Sequence, residues 1–174
     1  MHFFSLQYIY KWLVYSGVAI SGDTMTTVYD VPTDALIAKV AQKLKENGKV
    51  KPVEWAPFVK LGLHTEKAPM QHDWWYTRAA SMMRKIYIEG PLGTERLRQM
   101  YGGPKDRGTK PDRATSGSGA VVRKLLQQLV AAGLVDSIKG KGRLITASGR
   151  KFMDGAAYDV KKELEAKIPA LKKY

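Results

Sequence analysis

One run of the sequence gathers residue types that act on nucleic acid: Trp74, Thr77, Arg78, Ser81, Arg84 and Lys85. At about 100° per residue they share one arc of a helix, and Trp75, Tyr76, Ala79, Ala80, Met82, Met83, Ile86 and Tyr87 form the opposite, apolar arc. Trp74, Arg78, Ser81 and Lys85 follow the spacing i, i+4, i+7, i+11, which puts a tryptophan on a basic solvent face. On that face Arg78, Arg84 and Lys85 meet phosphates, while the Trp74 indole stacks on a base or ribose. The plainer alternative is that Trp74 covers a neighbouring loop and the charges are merely solvated. Arginine beside an exposed aromatic favours the first reading.

Two further basic clusters lie downstream. Lys105, Arg107, Lys110 and Arg113 fall in a stretch almost without apolar residues and lead on to Arg123 and Lys124. This reads as a flexible arm that orders on RNA, against the alternative of a solvated loop. Lys139, Lys141 and Arg143, followed by Arg150 and Lys151, have no acidic residue among them. A winged-helix wing uses such residues for phosphate contacts, although a charged hairpin tip also serves solubility.

Other chemistry is poorly supported. Gly103–Lys110 imitates a phosphate-binding loop, but Thr109 and Lys110 stand in the reverse order and no strand precedes them. Gly117-Ser118-Gly119 lacks the third glycine of a dinucleotide fingerprint. With no cysteine and only His2, His64 and His72, neither a disulfide framework nor a Cys/His zinc cluster can be built. His64 and His72 read as loop or cap residues, so no enzyme, metal, cofactor or small-molecule substrate is expected.

The elements that position these residues are mostly helical. Asp30 can cap a first helix starting near Pro32, where Leu36, Ile37, Val40, Ala41 and Leu44 recur at helical spacing until Asn47-Gly48. Prolines then leave room only for a short helix around Trp55. A third helix begins after Asp73 and runs to about Glu89, where Gly90-Pro91 ends it, and a short fourth spans Thr94 to Tyr101, with Gly102 just past its end. Gly103 to Ser118 reads as a long exposed loop. A fifth helix, from about Gly119 to Ala132, turns Val122, Leu125, Leu126 and Leu129 to the core. Leu134–Ile138 and Arg143–Ile145 make a small β-hairpin around Lys139–Gly142. Thr146 caps a last helix that ends near Pro169. The fold class is therefore mainly α, a winged-helix-like helical bundle around a central amphipathic helix with one small β-hairpin.

Composition agrees with a polyanionic partner. Lys and Arg number 29 against 16 Asp and Glu, a net charge of +13, and the pI is near 9.8. Residues 1–24 form an apolar extension interrupted by Lys11, too short to span a bilayer and without a basic start, so it reads as the product of an upstream start codon. Lys11 and Asp23 cancel, leaving the rest of the chain the full positive charge. Residues 25–168 then make one nucleic-acid-binding domain, followed by a basic tail at 169–174. The rival readings are a winged-helix DNA-binding regulator and a basic protein held at an anionic membrane by its first residues. Stable membrane association is not expected.

The stretch Trp74-Trp75-Tyr76-Thr77-Arg78-Ala79-Ala80-Ser81, followed by Tyr101-Gly102-Gly103, resembles the signature of small-subunit ribosomal protein nineteen of the archaeal and eukaryotic type. The resemblance runs from about Met25 to Gly155, including Glu54-Trp55, Lys60-Leu61, His64 to Pro69, Arg123–Gln127 and Leu144-Ile145-Thr146; Asp30-Val31-Pro32 is closer to the archaeal form. It implies a helical bundle lodged in the head of the small subunit, on the 3′ domain of 16S rRNA beside neighbouring small-subunit proteins. It also implies a role in subunit maturation. A cytoplasmic, ribosome-bound protein that is monomeric when free is the expectation. Trp74, Arg78, Arg84 and Arg123 match the family's rRNA-facing positions. Ala114 to Gly119 departs from the eukaryotic members, which carry basic residues there, and the segment before Met25 has no counterpart.

Overall fold

A computed structural model describes residues 26–168 and Leu171. The apolar segment 1–24 and most of the tail lie outside the described residues. Pro32, with φ −58°, precedes α1 (Thr33–Asn47), and Gly48 at φ 63° ends it in the left-handed conformation. Asp30 does not cap this helix as expected. Its carboxylate turns back to accept from the Thr27 amide at 2.6 Å and the Thr27 hydroxyl at 2.9 Å, closing a local turn ahead of the proline. A 3-10 turn at Ala56–Phe58 is the short helix beside Trp55.

The amphipathic α2 (Trp74–Glu89) is central. Trp75, Ala79, Ala80, Met82, Met83 and Ile86 are fully buried, and the helix packs on α1, on α4 and on the last strand. α3 (Thr94–Met100) leads into β1 (Gly103–Arg107) and β2 (Lys110–Thr115), which pair antiparallel. The stretch expected to be a loop is thus a second hairpin. Gly108 supplies the turn at φ 70°, and the Asp106 carboxylate accepts its amide proton at 2.7 Å. Neither strand buries a residue, so the apolar alternation that marks a strand in sequence is missing here.

α4 (Gly119–Ala131) buries Val121, Val122, Leu125, Leu126 and Leu129 and packs on α3. β3 (Val135–Ile138) and β4 (Gly142–Ile145) form the expected hairpin, with Val135 opposite Ile145 and Ile138 opposite Gly142. α5 (Ala147–Lys167) opens with the Thr146 hydroxyl accepting from the Gly149 amide at 3.0 Å, the cap read from sequence. α5 returns to α1. A winged-helix-like layout of mostly helical character results, with the β1–β2 ribbon between α3 and α4 where a short turn is usual. No helix among the described residues is long and apolar enough to cross a membrane.

Candidate nucleic-acid interface

The basic arc of α2 is built against Tyr101, the residue after α3. The Arg78 guanidinium carbon and the Lys85 ammonium each lie 4.2 Å from the centre of the Tyr101 ring. Ser81 Oγ and the Tyr101 hydroxyl are 2.8 Å apart. Spacing at i, i+3 and i+7 along α2 therefore brings three polar side chains around one aromatic ring, which holds the two cations by its quadrupole. Burial holds Arg78 below its ordinary pKa, with the neighbouring Tyr101 opposing the shift. Lys85 is also lowered, first by burial and then by the charges of Arg78 and Arg84, while Glu89 pulls the other way. Tyr101 is raised by burial, with Ser81 and Arg78 opposing.

None of Arg78, Arg84 and Lys85 is among the ion pairs of the described residues. The Arg84 Nε is buried with no hydrogen-bond partner. Half-buried cations of this kind have lost water without gaining a hydrogen-bonded carboxylate.

Trp74 stands differently from the expectation. It is 8 % exposed and belongs to the core, with its ring edge-on to Trp75 at 5.3 Å between centroids. Trp75 in turn meets Trp55 at 5.8 Å and donates its indole N–H to Gln128 Oε1 at 3.0 Å. The projection treats α2 as an isolated cylinder, whereas Trp74 is its first residue and is enclosed by other parts of the chain. Leu61, Pro69 and Gln71 from the preceding loop and Ile37 and Ala38 from α1 share with Trp74 and Arg78 the lining of a cavity of about 610 Å³. Trp74 is therefore nearly buried and not set out on a solvent face, and it lines that cavity together with Thr77, Ser81 and Tyr101.

The remaining basic residues fall into separate groups. Lys105 joins Lys60, His64, Arg98 and the Ser116–Gly119 backbone around a cleft of about 650 Å³, and the Arg123 guanidinium lies close to Gly119 at the start of α4. Arg107, Lys110 and Arg113 are exposed on the ribbon, and Lys124 on α4. Lys139 and Lys141 are exposed at the β3–β4 turn. Arg143 is half-buried; its backbone exchanges two 2.9 Å hydrogen bonds with Leu92, and its Nε lacks a partner.

Sequence reasoning passed over Tyr101 and Arg98. Tyr101 appears in the motif Tyr101-Gly102-Gly103, and that motif was the available signal. Gly102 is a steric necessity: a Cβ there would stand 2.3 Å from the Thr115 carbonyl oxygen. Arg98 bonds Glu95 at 2.7 Å, Ser116 Oγ at 2.9 Å and the Gly117 carbonyl at 3.3 Å, which ties the end of the ribbon to α3.

Residues 27–163 match the family described as ribosomal protein S19e. The chain is 45% identical over 152 residues to small ribosomal subunit protein eS19 of Aeropyrum pernix, covering 86% of this chain and 99% of that protein. It is 45% identical over 150 residues to the protein of the same name from Thermoplasma volcanium, again covering 86% and 99%. Against small ribosomal subunit protein eS19G of Ascaris suum it is 42% identical over 133 residues, covering 76% of this chain and 90% of the relative. The chain belongs to the ribosomal protein S19e family, whose members are structural proteins of the ribosome and not enzymes.

Proposed function

We propose that this chain is a structural constituent of the small ribosomal subunit that binds rRNA in the subunit head, on the 3′ domain of 16S rRNA, and supports subunit maturation. It works in the cytoplasm on the ribosome, beside neighbouring small-subunit proteins, with residues 25–168 as the binding domain. The observation that carries this reading is the set of half-buried cations on α2 that make no ion pair, Arg78 and Lys85 against Tyr101 and Arg84 with its unpartnered Nε. In a free protein that arrangement spends stability, and a phosphate-rich partner returns it. The ribbon cations, Arg123 and Lys124, and the Lys139–Lys141 turn add contacts to sugar and phosphate, whereas Trp74 acts by supporting α2.

The test is sedimentation with small subunits and release by ribonuclease, followed by binding to an rRNA fragment from the head and to duplex DNA at matched salt. Preference for the rRNA fragment is the expected result, because phosphate contacts alone do not discriminate. Equal affinity for both across a salt titration points instead to a DNA-binding regulator that uses the winged-helix layout, with α4 in the major groove.

A further inference from the structure

The β1–β2 ribbon carries a charge arrangement that its own stability does not explain. In its register Lys105 stands opposite Arg113 and Arg107 opposite Lys110. Directly paired residues share a face and Lys105 and Arg107 are two apart on β1, so the four cations lie on one side; a β-bulge between the two pairs takes up the extra residue of β2, where Lys110 and Arg113 are three apart. Pro104 and Ala114, also paired, project from the other. Like charges placed opposite each other on a ribbon destabilise it, and a two-stranded hairpin with no buried face is marginal in water. None of the four is among the ion pairs of the described residues.

The ribbon is nevertheless firmly rooted. Gly117 donates to the Arg98 carbonyl at 2.9 Å, Arg98 returns bonds to Ser116 and Gly117, and Gly103 and Thr115 close its base. Residues 103–118 contain no aromatic or histidine. A surface that reads unpaired bases stacks them on aromatic rings, whereas this one offers four cations among Gly, Pro, Ala, Thr and Ser and two aspartates, Asp112 and Asp106, the latter turned to the Gly108 amide.

We infer that the cationic face of the β1–β2 ribbon is a preformed clamp for the sugar–phosphate backbone of a base-paired RNA segment, which it recognises by shape and charge without reading sequence. This rests on the reading of the chain as an rRNA-binding protein and names the kind of RNA that one part of its surface takes. Phosphates set between the paired cations remove the repulsion that the ribbon carries when free, so the ribbon supplies affinity and register but no base preference.

The experiment compares the full chain with K105A/R107A/K110A/R113A on three probes: a base-paired fragment of head rRNA, the same fragment with its base pairs exchanged, and oligouridine. On both duplex probes the variant should bind more weakly by an equal factor. Its salt dependence should fall by about three in the slope of log K against log salt, since each lost phosphate contact removes somewhat less than one. Oligouridine binding should change little. Thermal unfolding should show the variant at least as stable as the parent chain. R107Q/K110Q, altered only near the tip, should lose about half as much slope, and K105R/K110R should keep all of it. An unchanged slope on duplex RNA overturns the inference, as does a loss confined to the native sequence or to oligouridine. If the parent chain does not prefer head rRNA to duplex DNA, the proposed ribosomal role is at fault; the ribbon is judged separately, by the ratio of variant to parent on duplex RNA.

Discussion

The α1–α5 seam and the α2–Tyr101 face both carry lysine or arginine, and they treat it in opposite ways. Along the seam Lys39 meets Glu163, and Lys43 meets Asp159 at 2.6 Å. Around Tyr101, Arg78 and Lys85 have an aromatic ring for company and no carboxylate in bonding range, and the nearby Arg84 keeps a buried Nε without a hydrogen-bond partner. A cation answered within the chain belongs to the fold. One left unanswered while partly stripped of water is a standing demand for an external anion. Net charge alone does not separate the two kinds of surface; the positions of the acidic residues do.

The comparison breaks most severely if the scaffold common to both regions is removed. Trp75→Ala deletes the fully buried ring that bonds Gln128 and is expected to cost roughly 3–5 kcal/mol in denaturant unfolding. Trp74→Ala, beside it, should cost at the lower end of that range, with any loss of RNA affinity following from unfolding. A Trp74→Ala variant that keeps full stability and loses affinity would restore the stacking role first expected of this residue.

A sharper test separates function from stability at one position. Arg78→Met keeps the length and removes the charge, so its stability should stay within about 1 kcal/mol of the parent, the lost ring contact being offset by the burial cost relieved. Its affinity for head rRNA should drop, with the salt slope falling by about one. Arg84→Glu, which turns an attraction into a repulsion, should reduce binding further. Parallel thermal melts and filter-binding titrations check both. Unfolding of Arg78→Met without a separate binding defect would make the arginine a structural residue.

Alkaline pH probes the same face. Tyr101 and Tyr87 both ionise later in the folded chain than their ordinary value of 10.0, each chiefly because of burial. A raised phenol contributes stability that is complete below about pH 10 and is lost as pH rises through its folded value. Tyr101→Phe should therefore flatten the decline of unfolding free energy above pH 10, measured by urea titration at a series of pH values. The smallest effect belongs to the seam. Lys43→Ala should cost about 0.2–1 kcal/mol and leave RNA binding unchanged.

Much of the scaffold is legible in the amino acids. The core arc of α2, the apolar stripe of α4, the Thr146 cap and the turn of the β3–β4 hairpin all follow from periodicity and cap chemistry, because each is a local property of a few neighbouring residues. Asp30 and Trp74 are misread because their partners are decided elsewhere. The Asp30 side chain has a closer donor in Thr27 than in the helix, and a helical projection cannot include the loop and α1 residues that line one cavity with Trp74. The β1–β2 ribbon escapes notice for another reason: strand signals rest on burial, and nothing in it is buried. The basic residues of the interface are evident from composition, but their gathering around Tyr101 depends on how α3 docks beside α2.

The pairing of α1 with α5 also orders events in time. Lys39 and Glu163 are 124 residues apart in the chain, and at ordinary rates of synthesis roughly 6–25 s separate their appearance. α1 meets α2 soon after both emerge, as α4, β3 and β4 meet their near neighbours, and only the side of α1 that faces α5 waits for the far end of the chain. The nascent protein closes like a ring whose clasp is made last. A ribosome stalled within the final helix would hold a chain with α1 and α2 already docked and one side of α1 still open to water, the side that α5 later covers.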